Sequence, residues 1–167
     1  MVNVDTVKQN IIDWFKEDSI SFTDVSEKNP NFTWILQVSK SPSVLVFKIP
    51  QFPNRIYFRT ITTLRPEHVK LFSEDETKKN NLTFKIHTLT IQLDVNPTFS
   101  NNDKKQLSEI WNNKIHYNST IKKADLLEKF TRIQHCQNVI LNHVNRELKA
   151  SMQIQTPAPD ASDVGIQ

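Results

Sequence analysis

The sequence has 167 residues and one glycine, Gly165, close to its C-terminal end. Phosphate-cradling loops and dinucleotide-binding turns need glycine, because backbone N–H groups there must approach the ligand closely. A nucleophile elbow needs small residues around a strained turn. None of these can be built here in its usual form, and the chain must turn on Pro, Asn, Asp and Ser instead. Cysteine is equally scarce. Cys136 stands alone, so no intrachain disulfide can form, which fits a reducing compartment. The opening residues, MVNVDTVKQNIIDWF, have no basic or apolar signal-peptide region. No apolar run approaches the roughly 20 residues of a membrane span. A cytoplasmic protein with no membrane contact is therefore expected.

Charge of one sign is also missing in any concentrated form. Net charge is +3, and no run of Lys or Arg exceeds two residues. The sequence pI near 9.0 permits nucleic-acid contact, but mixed Lys and Glu read first as ordinary solvated surface. The five histidines, His68, His87, His116, His135 and His143, include no pair at i, i+4 spacing. No metal site and no cofactor is expected. Cys136 falls mid-helix on a partly apolar stretch and reads as a small buried hydrophobe rather than a nucleophile. No catalytic residue is assigned.

What the chain does have is a run of strands. FTWILQVS, SVLVFKIP and RIYFRTITT, between Phe32 and Thr63, are rich in β-branched and aromatic residues and joined by short Ser/Pro/Asn connectors. They read as an antiparallel meander. In the first of these, Phe32, Trp34, Leu36 and Val38 share a face. In the last, Ile56 and Phe58 oppose Tyr57, Arg59, Ile61 and Thr63. The middle strand is apolar on both faces. A sheet with one solvated face alternates cleanly, and this one does so only in part. Either helices cover both faces or one face meets a partner. On that ground Ile35, Tyr57, Ile61 and, from a later strand, Trp111 are candidate partner-binding residues.

Helical patterns surround the meander. Residues 5–18 carry Val7, Ile11 and Phe15 on one stripe, with Asn3 or Asp5 as cap. A short strand is expected within Ile20–Ser26 and a turn at 27–31. Pro66 opens a short helix. Ser73 to Glu76 reads as a capping box for a helix running to about Asp94. Residues 82–93 also alternate like strand, but only the helical phase is unbroken, so helix is expected, buried on more than one side. A short strand follows near Pro97–Ser100. Leu107 to Tyr117 is another strand, with Leu107, Glu109, Trp111, Asn113, Ile115 and Tyr117 on one face, anchored by Trp111 and Tyr117. Asn118 and Ser119 are expected to cap a last helix from Thr120 to about Ala150, longer than one small sheet covers. Residues 153–167 read as a disordered tail, leaving a single α+β domain over 1–152.

The order helix, meander, helix, strands, long helix resembles the α/β fold of type III secretion chaperones and of the YbjN-like proteins. The sequence also looks like a family of uncharacterised archaeal proteins. The likeness rests on Asp13-Trp14-Phe15, the three strands with Pro66 after them, and the closing helix after IHYNSTIKKADLLEKF; it spans roughly residues 4–148. It implies a helix-covered sheet, often a homodimer, that binds extended segments of other proteins. The first functional expectation is thus a non-enzymatic, chaperone-like protein-interaction module. The second is a nucleic-acid-binding module using Arg55, Arg59 and Arg65 beside Tyr57 and Phe58. An enzyme without a recognisable motif is third.

Overall fold

Local chemistry starts the fold at Asp5, whose carboxylate accepts hydrogen bonds from the backbone N–H of Val7 and Lys8 and caps α1 (Thr6–Glu17). The computed structural model describes residues 5–39, 42–117 and 120–154, the last four as backbone alone. The other elements are β1 (Phe22–Asp24), a 3-10 turn (Ser26–Lys28), β2 (Trp34–Val38), β3 (Val44–Lys48), β4 (Ile56–Thr63), α2 (Pro66–Glu74), α3 (Glu76–Gln92), β5 (Asn96–Asn101), β6 (Leu107–His116) and α4 (Lys123–Ile154). The expected α+β class is what forms. One antiparallel sheet of six strands runs in the order β1-β2-β3-β4-β6-β5.

Helices pack on one face of this sheet. Under α1 and the first half of α4, Trp34, Leu36, Val38, Val44, Val46, Ile56 and Phe58 meet Ile11, Phe15, Leu126, Phe130 and Ile133. Under α2, α3 and the second half of α4, Leu107 and Ile110 meet Phe72, Leu82, Ile86, Cys136, Ile140 and Val144. The length of α4 is thereby explained: it crosses both halves of the core rather than overshooting one. Its helical backbone also takes in Gln153 and Ile154, which the tail was expected to contain.

Left-handed turns are made without glycine. Ser19 (φ 53°) and Asp94 (φ 52°) each follow a helix in Schellman geometry. The N–H of Ile20 reaches the Phe15 carbonyl and that of Ser19 the Lys16 carbonyl; Val95 and Asp94 repeat the pattern with Thr90 and Ile91. Lys105 (φ 60°) turns the β5–β6 hairpin, where the Asn102 side chain accepts from the N–H of Lys104 and Gln106. A lysine pays a steric penalty there that glycine avoids. Lys105→Gly is expected to stabilise the protein by up to about 1 kcal/mol, read from the urea midpoint at unchanged m-value.

Several local expectations are corrected. Ser73 is not a cap: α2 runs on to Glu74, the Ser73 hydroxyl donates to the Lys70 carbonyl, and Asp75 caps α3 by accepting from the Lys78 N–H. Phe32 precedes the start of β2 in a bend, so it leaves the Trp34 face and packs on Phe47. Leu107 leaves the Trp111 face because the register shifts opposite Ser100/Asn101, turning its side chain inward. Tyr117 lies past the end of β6 and is largely exposed. The helical stretch of α4 begins at Lys123 rather than Thr120; Asn118 and Ser119 lie outside the described residues. Finally, α3 is buried on one side only, as Phe84 and Ile91 face outward. Its packing partners, α2, α4 and β5, all lie on one side of it.

Candidate functional site

The sheet's second face carries no helix among the described residues. Strand pairing lays its side chains out in rows. Ile35, Phe47, Tyr57 and Ile115 form the first, Gln37, Leu45, Arg59, Asn113 and Asn96 the second, Ile61, Trp111 and Thr98 the third. Ile35, Phe47 and Tyr57 make a small cluster of their own, flanked by Val25, Phe32, Leu45, Ile49 and Ile115. Not one of these residues comes from a helix that packs on the sheet. The cluster closes by ring stacking: Phe47 and Tyr57 lie parallel with centroids 5.2 Å apart, and Phe32 meets Phe47 edge-on at 5.1 Å.

Arg59 sits at the middle of the face. Its guanidinium lies 5.1 Å from the Phe47 ring and 4.8 Å from the Trp111 ring, and its Nε donates to Asn113 Oδ1 at 2.6 Å. Burial among these groups pulls the guanidinium below its ordinary value, against the influence of Tyr57. The charge is thus held between two π faces and does not project to solvent. The Trp111 indole N–H donates to Glu109 Oε2 at 2.8 Å, which fixes the ring plane. At one end of β4, Arg55 repeats the arrangement between Phe52 and Tyr117.

All four candidate partner-binding residues come to this one face. Ile35 and Tyr57 are buried within its cluster, whereas Trp111 is half-buried and Ile61 is 37% exposed. The accessible centre of the face is therefore Trp111, Ile61 and the rings beside Arg59. Arg65 is elsewhere: it meets Glu67 and Asn145 at the α2–α4 junction. Among the described strand positions on the face, Arg59 is the one cation and Glu109 the one carboxylate. The sheet edges offer little. β1 has three residues, and β5 contains Pro97, which lacks an N–H to donate.

Other polar groups do not gather into a recognisable centre. No group of three or more His, Cys, Asp and Glu among the described residues could hold a metal ion. Cys136 is buried, and burial pushes its thiol up to about 11. A cleft of about 280 Å³ at the end of β6 is lined by Asp94, Asn96, Ile115, His116, Tyr117 and Lys129. Burial, aided by Lys129, holds the His116 imidazole below its ordinary value. Among the described residues, no helix is long and apolar enough to cross a membrane.

Residues 7–144 match the family described as "Uncharacterized conserved protein (DUF2299)". The chain belongs to this family. No curated protein matches this DUF2299 chain. Two solved structures share its fold. One is an uncharacterised protein from Methanothermobacter thermautotrophicus, with a TM-score of 0.72 at 12% identity over 85% of this chain and 99% of that one. The other is YbjN from E. coli, with a TM-score of 0.54 at 12% identity over 87% of this chain and 92% of that one. At such identity the likeness is one of fold, and function has to be argued from the surface.

Proposed function

We propose that this DUF2299 protein is a non-enzymatic protein-interaction module that holds an apolar segment of another protein against the helix-free face of its sheet. One observation carries the reading: every helix that covers the sheet lies on one side, yet the other side is built from stacked rings and aliphatic side chains. Trp, Tyr and Arg are the residues that dominate interface energetics. Ile61 and Trp111 offer apolar contact, while Gln37, Asn113, Asn96 and Thr98 offer hydrogen bonds around them. The edges are poor templates for strand addition, so the occupant lies across the face.

The same face argues against nucleic acid. Backbone binding needs several free Lys or Arg groups, and here the central cation is already enclosed by two rings. The measurement is binding to an array of extended peptides with alternating apolar and polar residues. The expected result is a set of binders whose affinity falls at least roughly tenfold, about 1.4 kcal/mol, in Ile61→Asp. Ile61 is exposed enough for that variant to fold. Peptide binding that is indifferent to Ile61→Asp, or none at all, would overturn the proposal.

A further inference from the structure

On the opposite side of the molecule, α3 presents a ridge of Thr77, Asn81, Phe84, Thr88 and Ile91. Phe84 is 73% exposed and Ile91 77% exposed, which no packing within the chain accounts for. They stand seven residues apart, two helical turns or about 10.5 Å. Between them the Thr88 hydroxyl donates to the Phe84 carbonyl at 3.0 Å, so its hydrogen-bonding capacity is spent on the helix. None of the five ridge residues is charged. The charges of α3 stand off the ridge and are paired within the chain: Lys78 with Asp75, Lys79 with Glu76, Lys85 with Glu147.

Beside Ile91 a groove of about 410 Å³ opens between the end of α3 and β5, lined by His87, Thr90, Ile91, Asp94, Val95, Asn96 and Pro97. The His87 ring is turned onto Phe99, 5.2 Å away. Asp94, at the rim, is paired with Lys114. The molecule thus carries a projecting aromatic ring and a groove two turns along the same helix.

We infer that this face receives a second copy of the chain, α3 against α3, antiparallel about a two-fold axis near Thr88. In that arrangement the Phe84 ring of each copy enters the groove beside Ile91 of the other. A two-fold axis sets each residue near it against its own copy, so any charge there would face a like charge. A ridge without charge, bearing both ring and groove, meets that condition. Depletion of charge around an exposed aromatic is also the composition of an interface core.

Sedimentation equilibrium of the full chain tests this. The expected mass is that of two 19.5 kDa chains. Phe84→Asp and Ile91→Asp, both at positions exposed in the single chain, are expected to keep the wild-type circular dichroism and to weaken dimerisation by roughly a hundredfold or more. Oxidised Thr88→Cys is expected to form a disulfide-linked dimer, since Cys136 is buried. A wild-type chain that stays monomeric at its highest concentration would overturn the inference. So would a dimer that ignores both aspartates or fails to cross-link through Thr88→Cys.

Discussion

Asp5→Ala is expected to lower the free energy of unfolding by about 3 kcal/mol. One carboxylate performs three tasks. It caps α1, it accepts from the Trp34 indole at 3.0 Å, and it pairs with Lys48 at 2.8 Å. Together these fasten α1 to β2 and β3 at one end of the core. The alanine removes a cap worth about 1 kcal/mol and leaves the indole N–H and the ammonium of Lys48 without their acceptor. Asp5→Asn keeps a cap and an acceptor while losing the charge, so its loss is expected to be about half as large. Urea unfolding of the three proteins makes the comparison. Acid unfolding carries the same signature. Burial opposes ionisation of Asp5, but the hydrogen bonds from Lys48, Trp34 and the Lys8 N–H outweigh it and hold the carboxyl below its ordinary 3.8. The unfolded chain therefore binds the proton first. The stabilisation is complete above pH 3.8 and is lost as pH falls through the lower folded-state value. Asp5→Ala is expected to show a shallower loss over that window.

Lys114→Met is expected to cost about 2 kcal/mol. Lys114 is 3% exposed, and its ammonium donates to the carbonyls of Leu93 and Asp94 and to the Asp94 carboxylate, the last two at 2.8 Å. It thus closes the C-terminal end of α3, where helix carbonyls concentrate negative charge, and it ties that end to β6. Methionine fills the space of the stem but donates nothing. Hydrogen exchange checks the assignment: the amides of Asp94 and Val95, which hold the left-handed turn after α3, are expected to exchange faster in the variant than those of α1.

These two residues show what patterning conveyed and what it missed. Asp5 was readable as a cap from its place before Val7, Ile11 and Phe15, and the faces of β2, β3 and β4 followed from period two. The segment 82–93 resolved correctly as helix because Leu82, Ile86 and Leu89 keep one phase. β6 was read with its Trp111 face as the packed one. Its inner face is Ile110, Asn112 and Lys114, polar enough to pass for solvent-facing. That choice depends on long-range partners: Lys114 has the end of α3 and Asn112 has Thr60. No local pattern announces either. The bulge that turns Leu107 inward is likewise set by β5. Ile35, Tyr57, Ile61 and Trp111 could be placed together from alternation alone, because an odd-numbered ladder through β4 and β6 survives the missing bulge. The sandwich of Arg59 between Phe47 and Trp111 requires the strand order β3-β4-β6, which sequence order conceals.

The helix-free face is also the part of the account most open to direct contradiction. Amide chemical-shift mapping of the labelled protein, titrated separately with an array-selected peptide and with a single-stranded oligonucleotide at low salt, addresses it most directly. The account predicts that the peptide shifts the amides of Arg59 to Ile61 and Trp111 to Asn113, and that the oligonucleotide leaves them in place. Shifts confined to the helical side, or an oligonucleotide footprint centred on Arg59, would contradict it.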